Sequence, residues 1–138
     1  MTLRPGEVLG RYEVLAPIGA GGMATVYRAR HISSERLVAI KIFRRELASD
    51  ARLRERFRRE ATSTRRLSHK NIIEILDEGE TDDGTPFLAM EYLPNGTLAD
   101  VIAKGLTPRQ ALSILAQLAG GLSVMHARGI IHRDLKTA

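Results

Sequence analysis

A lysine in the middle of an apolar strand constrains this chain more than any other feature of its sequence. Residues 37–43 read Leu-Val-Ala-Ile-Lys-Ile-Phe, an almost continuous apolar run with the length and β-branched content of a buried strand. The two-residue alternation of a strand places Lys41 on the same face as Ala39 and Phe43. A buried ammonium group without a partner is strongly unfavourable, so Lys41 needs a group of opposite charge nearby.

The helix predicted over residues 51–67 supplies a candidate partner for Lys41. Asp50 or Ser49 can serve as its N-cap. Its apolar side recurs at spacings of three and four, through Leu53, Phe57, Ala61, Thr64 and Leu67. Glu60 falls on that apolar side and also needs a partner. A Lys41–Glu60 pair across the strand–helix contact satisfies both, whereas in the alternative Lys41 snorkels to the sheet edge and Glu60 tilts outward.

The remaining patterns predict an α+β fold with a mostly antiparallel sheet. Strands are predicted over residues 11–18 and 24–30 before the lysine strand, and over residues 72–80 and 85–92 after the first helix. A loop signal at residues 94–96 precedes a second long helix that starts near Thr107. There Thr107, Pro108 and Gln110 form a capping box with proline at the first helical position.

A glycine-rich turn joins the first two predicted strands. It contains Gly19, Ala20, Gly21 and Gly22. Because the turn links strand to strand, it is a hairpin and not the strand-to-helix turn of a dinucleotide-binding fold. Glycines allow backbone N–H groups to approach a phosphate with no side chain in the way. Such a turn indicates little alone, but followed by Val26 and a buried strand lysine it predicts phosphate binding and favours the Lys41–Glu60 pair.

These motifs together resemble the signature set of the protein kinase family. Residues 19–26 are similar to the family's Gly-rich loop, with Ala24 in place of its third glycine. Residues 38–41, Val-Ala-Ile-Lys, are similar to the third-strand motif, so the resemblance implies that Lys41 holds the α- and β-phosphates of ATP. Glu60 stands where the family's helix glutamate pairs with that lysine.

Two further motifs extend the resemblance to the adenine site and the catalytic loop. Residues 90–93, Met-Glu-Tyr-Leu, resemble the hinge. This implies adenine contacts from the backbones of Glu91 and Leu93, a gatekeeper role for Met90, and an adenine pocket lined by Val26 and Ala39.

Residues 132–136, His-Arg-Asp-Leu-Lys, are similar to the catalytic loop. The resemblance implies that Asp134 accepts the proton of the substrate hydroxyl and that Lys136 steadies the transferred phosphate. A lysine two residues after the aspartate is typical of Ser/Thr kinases. The Gly-Gly-Met turn and the lack of long insertions resemble the eukaryotic-like (Hanks-type) kinases of bacteria.

The resemblance implies an incomplete kinase domain over residues 1–138. Residues 11–93 would form the N-lobe, a five-stranded antiparallel sheet with one regulatory helix, and residues 94–138 would form the start of the C-lobe with its first long helices. ATP and a protein bearing Ser or Thr are the implied partners. The Asn and Asp-Phe-Gly that bind Mg²⁺ in the family would follow Lys136, so no metal ligand is assigned to this chain. Because phosphoryl transfer depends on the metal ion, the chain alone is predicted to be inactive. The alternative is a catalytically inactive nucleotide- or protein-binding module.

Composition and charge exclude several other classes. The chain is 43% hydrophobic and 27% charged, which is typical of a globular domain. It has no cysteine, so neither a disulfide nor a thiolate zinc site can form. It has no apolar run of membrane-spanning length and no export signal, so a cytoplasmic location is expected. Residues 41–70 hold 11 Lys/Arg against 4 Asp/Glu. This block is either a nucleic-acid footprint or a solvated helix face, and the lack of a nucleic-acid motif or aromatic platform favours the helix face.

Leucines on the second long helix predict self-association through an exposed apolar face: Leu112, Leu115, Leu118 and Leu122.

Overall fold

Six strands form one antiparallel sheet in the first part of the chain. The computed structural model describes residues 3–47, 49–132 and 135–136, and the side chains of Glu60 and Ala61 lie outside what it describes. In chain order the strands are β1 Val8–Leu9, β2 Tyr12–Ala20, β3 Ala24–His31, β4 Leu37–Phe43, β5 Ile75–Glu80 and β6 Pro86–Glu91. Their order in the sheet is β1-β2-β3-β4-β6-β5. The predicted α+β class with an antiparallel sheet is confirmed.

One strand more than the predicted five is present. Strand β1 pairs with β2 through Val8↔Glu13 and Leu9↔Tyr12. Gly10 turns the chain back between them at a φ of 54°, in the left-handed region that glycine adopts without strain. Two residues are too few to produce an alternating pattern, which is why the sequence did not predict this strand.

Helix α1, Ala51–Arg65, packs on the sheet. Asp50 is its N-cap, and one carboxylate oxygen accepts hydrogen bonds from the backbone N–H groups of Arg52 (3.0 Å) and Leu53 (3.1 Å). Phe57, near the middle of the helix, is 1% exposed. The start and the buried side of the predicted helix are confirmed, and its end lies at Arg65 with Arg66 as C-cap.

The two faces of the sheet carry separate apolar clusters. The face toward α1 is filled by Ala24, Phe43, Phe57 and Leu88. The opposite face is filled by Leu9, Tyr12, Val14, Tyr27, Ala29, Val38, Ile40, Ile42, Phe87 and Ala89. Because side chains alternate along a strand, β4 contributes to both clusters, and this explains its nearly continuous apolar sequence.

The chain divides into two compact units. The first contains the sheet and α1, reaches to Arg66 and resumes over Glu74–Tyr92. The second contains Leu67–Ile73 and the chain from Leu93 onward. Its helices are α2 Leu98–Ala103 and α3 Pro108–Ala127.

Both helices of the second unit begin with a capping box. Thr97 and Asp100 cap α2, and Thr107 and Gln110 cap α3 as predicted. Helix α2 was not predicted, because its six residues are too few to display a helical period after the turn residues that precede it.

The apolar side of α3 is partly exposed. Leu112 is 68% exposed and Leu115 is 58% exposed, whereas Leu118 and Leu122 are half-buried. Self-association through this face stays a prediction. Within the described residues, neither α3 nor any other helix combines the length and apolarity needed to cross a bilayer.

Candidate functional site

Lys41 lies on β4 with its side chain on the sheet face that α1 covers. The residue is half-buried, and its Nζ atom lies 5.8 Å from the centroid of the Phe57 ring. At this distance the ring face attracts the ammonium group. Glu60, the predicted partner, follows Phe57 by three residues on α1, but its side chain is outside the described part of the chain. The Lys41–Glu60 pair therefore stays a prediction.

The strand register aligns the glycine turn with Lys41. Gly19 is the cross-strand partner of Val26, Val26 is the partner of Lys41, and Lys41 is the partner of Leu88. Neighbouring strands are about 4.8 Å apart, so Gly19 and Lys41 lie about 10 Å apart across the sheet. Directly opposed residues of antiparallel strands project to the same face. Val26 and Lys41 therefore point to the same side of the sheet.

The glycine turn is a tight hairpin that does not require glycine for its own geometry. The Gly21 N–H donates a 2.8 Å hydrogen bond to the Ala24 carbonyl oxygen. None of Gly19, Gly21 and Gly22 has a φ in the left-handed region. A Cβ atom at Gly22 would meet no atom within 4 Å, and at Gly19 or Gly21 it would make only ordinary contacts of 3.9 Å and 3.6 Å. The lack of side chains there lets a ligand approach the backbone of the turn closely.

Two of the predicted adenine-contacting residues, Ala39 and Met90, lie on the same face as Lys41, toward the N-terminal end of β4. Ala39 is 6% exposed and is the cross-strand partner of Met90, which packs against the cluster that contains Phe57. Leu93 follows the end of β6 and is 60% exposed. The register thus gathers Val26, Ala39 and Met90 on the face that carries Lys41.

Glu91 fixes the end of β6 in a way that the sequence did not indicate. Its backbone N–H donates a 3.0 Å hydrogen bond to the Glu74 carbonyl oxygen, and its Oε1 accepts a 2.9 Å hydrogen bond from the Glu74 N–H. The two residues are 17 positions apart, so no local pattern reports the contact. Sequence reasoning likewise missed Phe57 as a neighbour of Lys41, although the apolar period of the helix had marked it as buried.

The predicted catalytic loop lies in the second unit, after α3. His132, Leu135 and Lys136 are exposed. Asp134 lies outside the described residues, so its role stays a prediction. Among the residues that the structure describes, no three His, Asp or Glu side chains come together as a metal site would require.

Comparison with known proteins covers nearly the whole chain. The sequence profile of the protein kinase domain matches residues 12–138. The chain is 42% identical over 128 residues to the serine/threonine-protein kinase pkn3 of Myxococcus xanthus, covering 91% of this chain and 23% of that protein. It is 46% identical over 132 residues to the serine/threonine-protein kinase PrkC of Bacillus subtilis, covering 94% of this chain and 20% of that protein.

Solved structures give the same result for the fold. The crystal structure of the PknI kinase domain of Mycobacterium tuberculosis, in a C20A mutant, superposes with a TM-score of 0.82 at 33% sequence identity. The match covers 100% of this chain and 57% of that one. The chain therefore spans little more than half of a solved kinase domain and about a fifth of the curated relatives.

Proposed function

Because the chain belongs to the protein kinase domain family, we propose that it is the ATP-binding part of a Ser/Thr protein kinase. The complete protein would transfer the γ-phosphate of ATP to a Ser or Thr hydroxyl of a protein. The relatives named as serine/threonine-protein kinases, at 42% and 46% identity, support this activity. Residues 11–93 would be the ATP-binding lobe and residues 94–138 the start of the second lobe.

The cross-strand row Gly19–Val26–Lys41 is the observation that carries the proposal. ATP brings negative charge on three phosphates, and a half-buried ammonium group interacts with phosphate more strongly than a fully hydrated one. At the turn, the Gly22 N–H would be donated to a phosphate oxygen, since the Gly21 N–H is already donated to the Ala24 carbonyl oxygen. Lys41 would contact the α- and β-phosphates from the strand below.

The apolar end of the same face would hold the adenine ring. Ala39 is small and buried, so it leaves room for a planar ring against β4, and Val26 would cover the ring from β3. Met90 would limit the depth of the pocket. The backbone groups of Glu91 and Leu93 would pair with the polar edge of adenine, and the Glu91–Glu74 hydrogen bonds would hold the end of β6 in place for that contact.

The chemical step would use residues from the second unit. The oxygen of the substrate hydroxyl would form a bond to the γ-phosphorus while the bond between the γ-phosphorus and ADP breaks. Asp134 would accept the hydroxyl proton, and Lys136 would stabilise the charge on the transferred phosphoryl group. The family uses Mg²⁺ with ATP, and a bound metal ion supplies charge neutralisation on the phosphates. In the family pattern its ligands come after Lys136, outside the residues assigned here.

Replacement of Lys41 by methionine tests the phosphate site. The affinity of the chain for a fluorescent ATP analogue should fall by about ten- to a hundredfold, the value of one charge-assisted hydrogen bond. Adenosine, which has no phosphate, should bind the variant as well as it binds the parent chain. Lys104→Met, at an exposed position on the C-terminal side of α2, is the matched control and should leave both affinities unchanged.

A second variant separates the ligand contact from the fold. Gly22→Ala introduces a methyl group into open space, so the midpoint of thermal unfolding should not change. Its ATP affinity should nevertheless fall, because the methyl group obstructs the approach of a phosphate to the backbone. Equal ATP affinity for Lys41→Met and the parent chain, or equal losses for ATP and adenosine, would contradict the proposed site.

A further inference from the structure

Helix α1 carries two rows of arginines, and among the residues that the structure describes only one of the rows has side-chain partners. The first row contains Arg54, Arg58 and Arg65. Arg54 donates a 3.0 Å hydrogen bond to the Gly84 carbonyl oxygen, Arg58 pairs with Glu80, and Arg65 pairs with Glu78 at 2.9 Å. This row faces the β5–β6 hairpin, and its positive charge is balanced there.

The second row is rotated around the helix from the first and consists of Arg52, Arg56, Arg59 and Arg66. We call it the free arginine row. Spacings of four, three and seven residues place its members on one side of the helix. All four are exposed, and none of them makes an ion pair or side-chain hydrogen bond with the residues that the structure describes. Glu55 lies on the same side of the helix, three residues after Arg52 and four before Arg59, and its exposed carboxylate forms no ion pair with the described residues either.

The paired row shows how such arginines are satisfied in this protein. Glu78 and Glu80 are two residues apart on the extended strand β5, so both side chains project to the same face. They engage Arg65 and Arg58, which are seven residues apart on α1. Arg66 and Arg59 repeat this spacing one position later along the helix. A second extended segment with carboxylates at alternate positions would therefore fit the free arginine row in the same manner.

We propose that the free arginine row binds an extended, carboxylate-rich segment of a partner protein. From Arg52 to Arg66 the row is about 21 Å long, from 14 steps of about 1.5 Å. An extended strand covers that length in about six residues. Alternate side chains of such a strand recur about every 6.6 Å, which is close to the spacing of about 6 Å between Arg52 and Arg56 along the helix axis. Arginine suits this contact because its planar guanidinium binds carboxylates through two parallel hydrogen bonds. The contact is independent of phosphoryl transfer.

The surroundings of the row disfavour the other anionic partners. A nucleic-acid duplex is much wider than one row of side chains, and the neighbouring Arg58 and Arg65 are already paired with Glu80 and Glu78. A bilayer surface binds helices that also insert apolar side chains. Here the apolar side of α1 is committed to the protein core, where Phe57 is 1% exposed.

The test measures fluorescence anisotropy of a labelled eight-residue peptide that alternates Gln and Glu, titrated with the full chain. An all-Gln peptide of the same length is the ligand control. One protein variant replaces all four residues of the free arginine row by Gln. A charge-matched control replaces four exposed arginines elsewhere by Gln: Arg4, Arg36, Arg109 and Arg128. Both variants lose four positive charges, so a general effect of net charge appears equally in both.

We expect the Glu-containing peptide to bind and the all-Gln peptide not to bind. Removal of the free arginine row should weaken peptide binding by about tenfold or more, whereas the charge-matched control should change it by less than about twofold. Binding should also weaken as salt is raised. Equal losses in the two variants would overturn the proposal. So would row-dependent binding of a phosphoserine peptide, an oligonucleotide or anionic lipid vesicles without binding of the Glu-containing peptide.

Discussion

Phe57 should couple the packing of α1 to the affinity for ATP. Its ring lies between the helix and the sheet face that carries Lys41, with its centroid 5.7 Å from the Phe43 ring at an interplanar angle of 67° and 5.8 Å from the Lys41 ammonium nitrogen. Phe57→Leu keeps an apolar side chain of similar bulk but removes both aromatic contacts. We therefore expect it to destabilise the fold and to weaken nucleotide binding together.

The magnitude follows from the two contacts that Phe57→Leu removes. An edge-to-face aromatic pair contributes about 0.5–1.5 kcal/mol beyond its buried area, and a cation–π contact contributes about 0.5–1 kcal/mol. The free energy of unfolding should thus fall by about 1–2.5 kcal/mol, which lowers the unfolding midpoint by about 4–10 °C for a chain of this size. Loss of the contact that orients Lys41 should weaken ATP binding by about two- to fivefold.

Phe87→Leu is a matched control for this prediction. Phe87 is 6% exposed, belongs to the same sheet and forms an edge-to-face pair with Tyr12 at a centroid distance of 6.4 Å. It packs on the opposite face, away from Lys41. The two variants should lose similar stability in urea unfolding, but only Phe57→Leu should weaken the binding of a fluorescent ATP analogue.

Two results would refute this reasoning. If Phe87→Leu weakened ATP binding as much as Phe57→Leu, a general loss of stability would account for the effect, and the contact with Lys41 would not. If Phe57→Leu destabilised the chain with no change in ATP affinity, Lys41 would not depend on the ring for its position.

Further predictions concern the second unit and the β5–β6 turn. Gly120→Ala should raise the free energy of unfolding by about 1 kcal/mol through helix propensity, because the new Cβ atom meets its nearest neighbour at an ordinary 3.6 Å. Gly121→Ala should lower the free energy of unfolding by about 1–2 kcal/mol, because its Cβ atom would lie 3.0 Å from the Asn71 carbonyl oxygen. Equal stabilisation by both substitutions in urea unfolding would contradict this pair of predictions. The Thr81 hydroxyl donates to Asp83 and lowers the pKa of that carboxylate to about 2. Asp83→Asn should therefore lower the unfolding midpoint above about pH 4. The difference should shrink as pH falls below about 4 and vanish below about pH 2, where the folded carboxylate becomes protonated. A difference independent of pH would rule this out.

Much of the fold could be predicted from local patterns. The period of three and four residues located α1, and Thr107 with Gln110 located the start of α3, since a capping box is formed by residues only three positions apart. The short strand β1 and the six-residue helix α2 were not predictable. Each is shorter than the window over which hydrophobic periodicity can be recognised, and each depends on neighbours that fold beside it.

The candidate site divides along the same line. Lys41 was identified because a charge in an apolar strand conflicts with its surroundings, and the glycine turn was identified by composition. The contact between Lys41 and Phe57, and the hydrogen bonds between Glu91 and Glu74, could not be predicted, because each joins residues 16 or 17 positions apart with no spacing rule between them.

The sequence by itself determined most of the strands and helices, the position of the glycine turn and the placement of Lys41 within an apolar strand, because these depend on residues within a few positions of one another. The tertiary structure alone decided that β4 lies beside β6, which brings Leu88 next to Lys41 and Met90 next to Ala39. It also decided that one arginine row of α1 meets the carboxylates of β5 while the next row does not. These outcomes depend on the total free energy of many weak contacts between residues far apart in the sequence, which form together after long loops have closed. A local pattern of residues cannot predict that total.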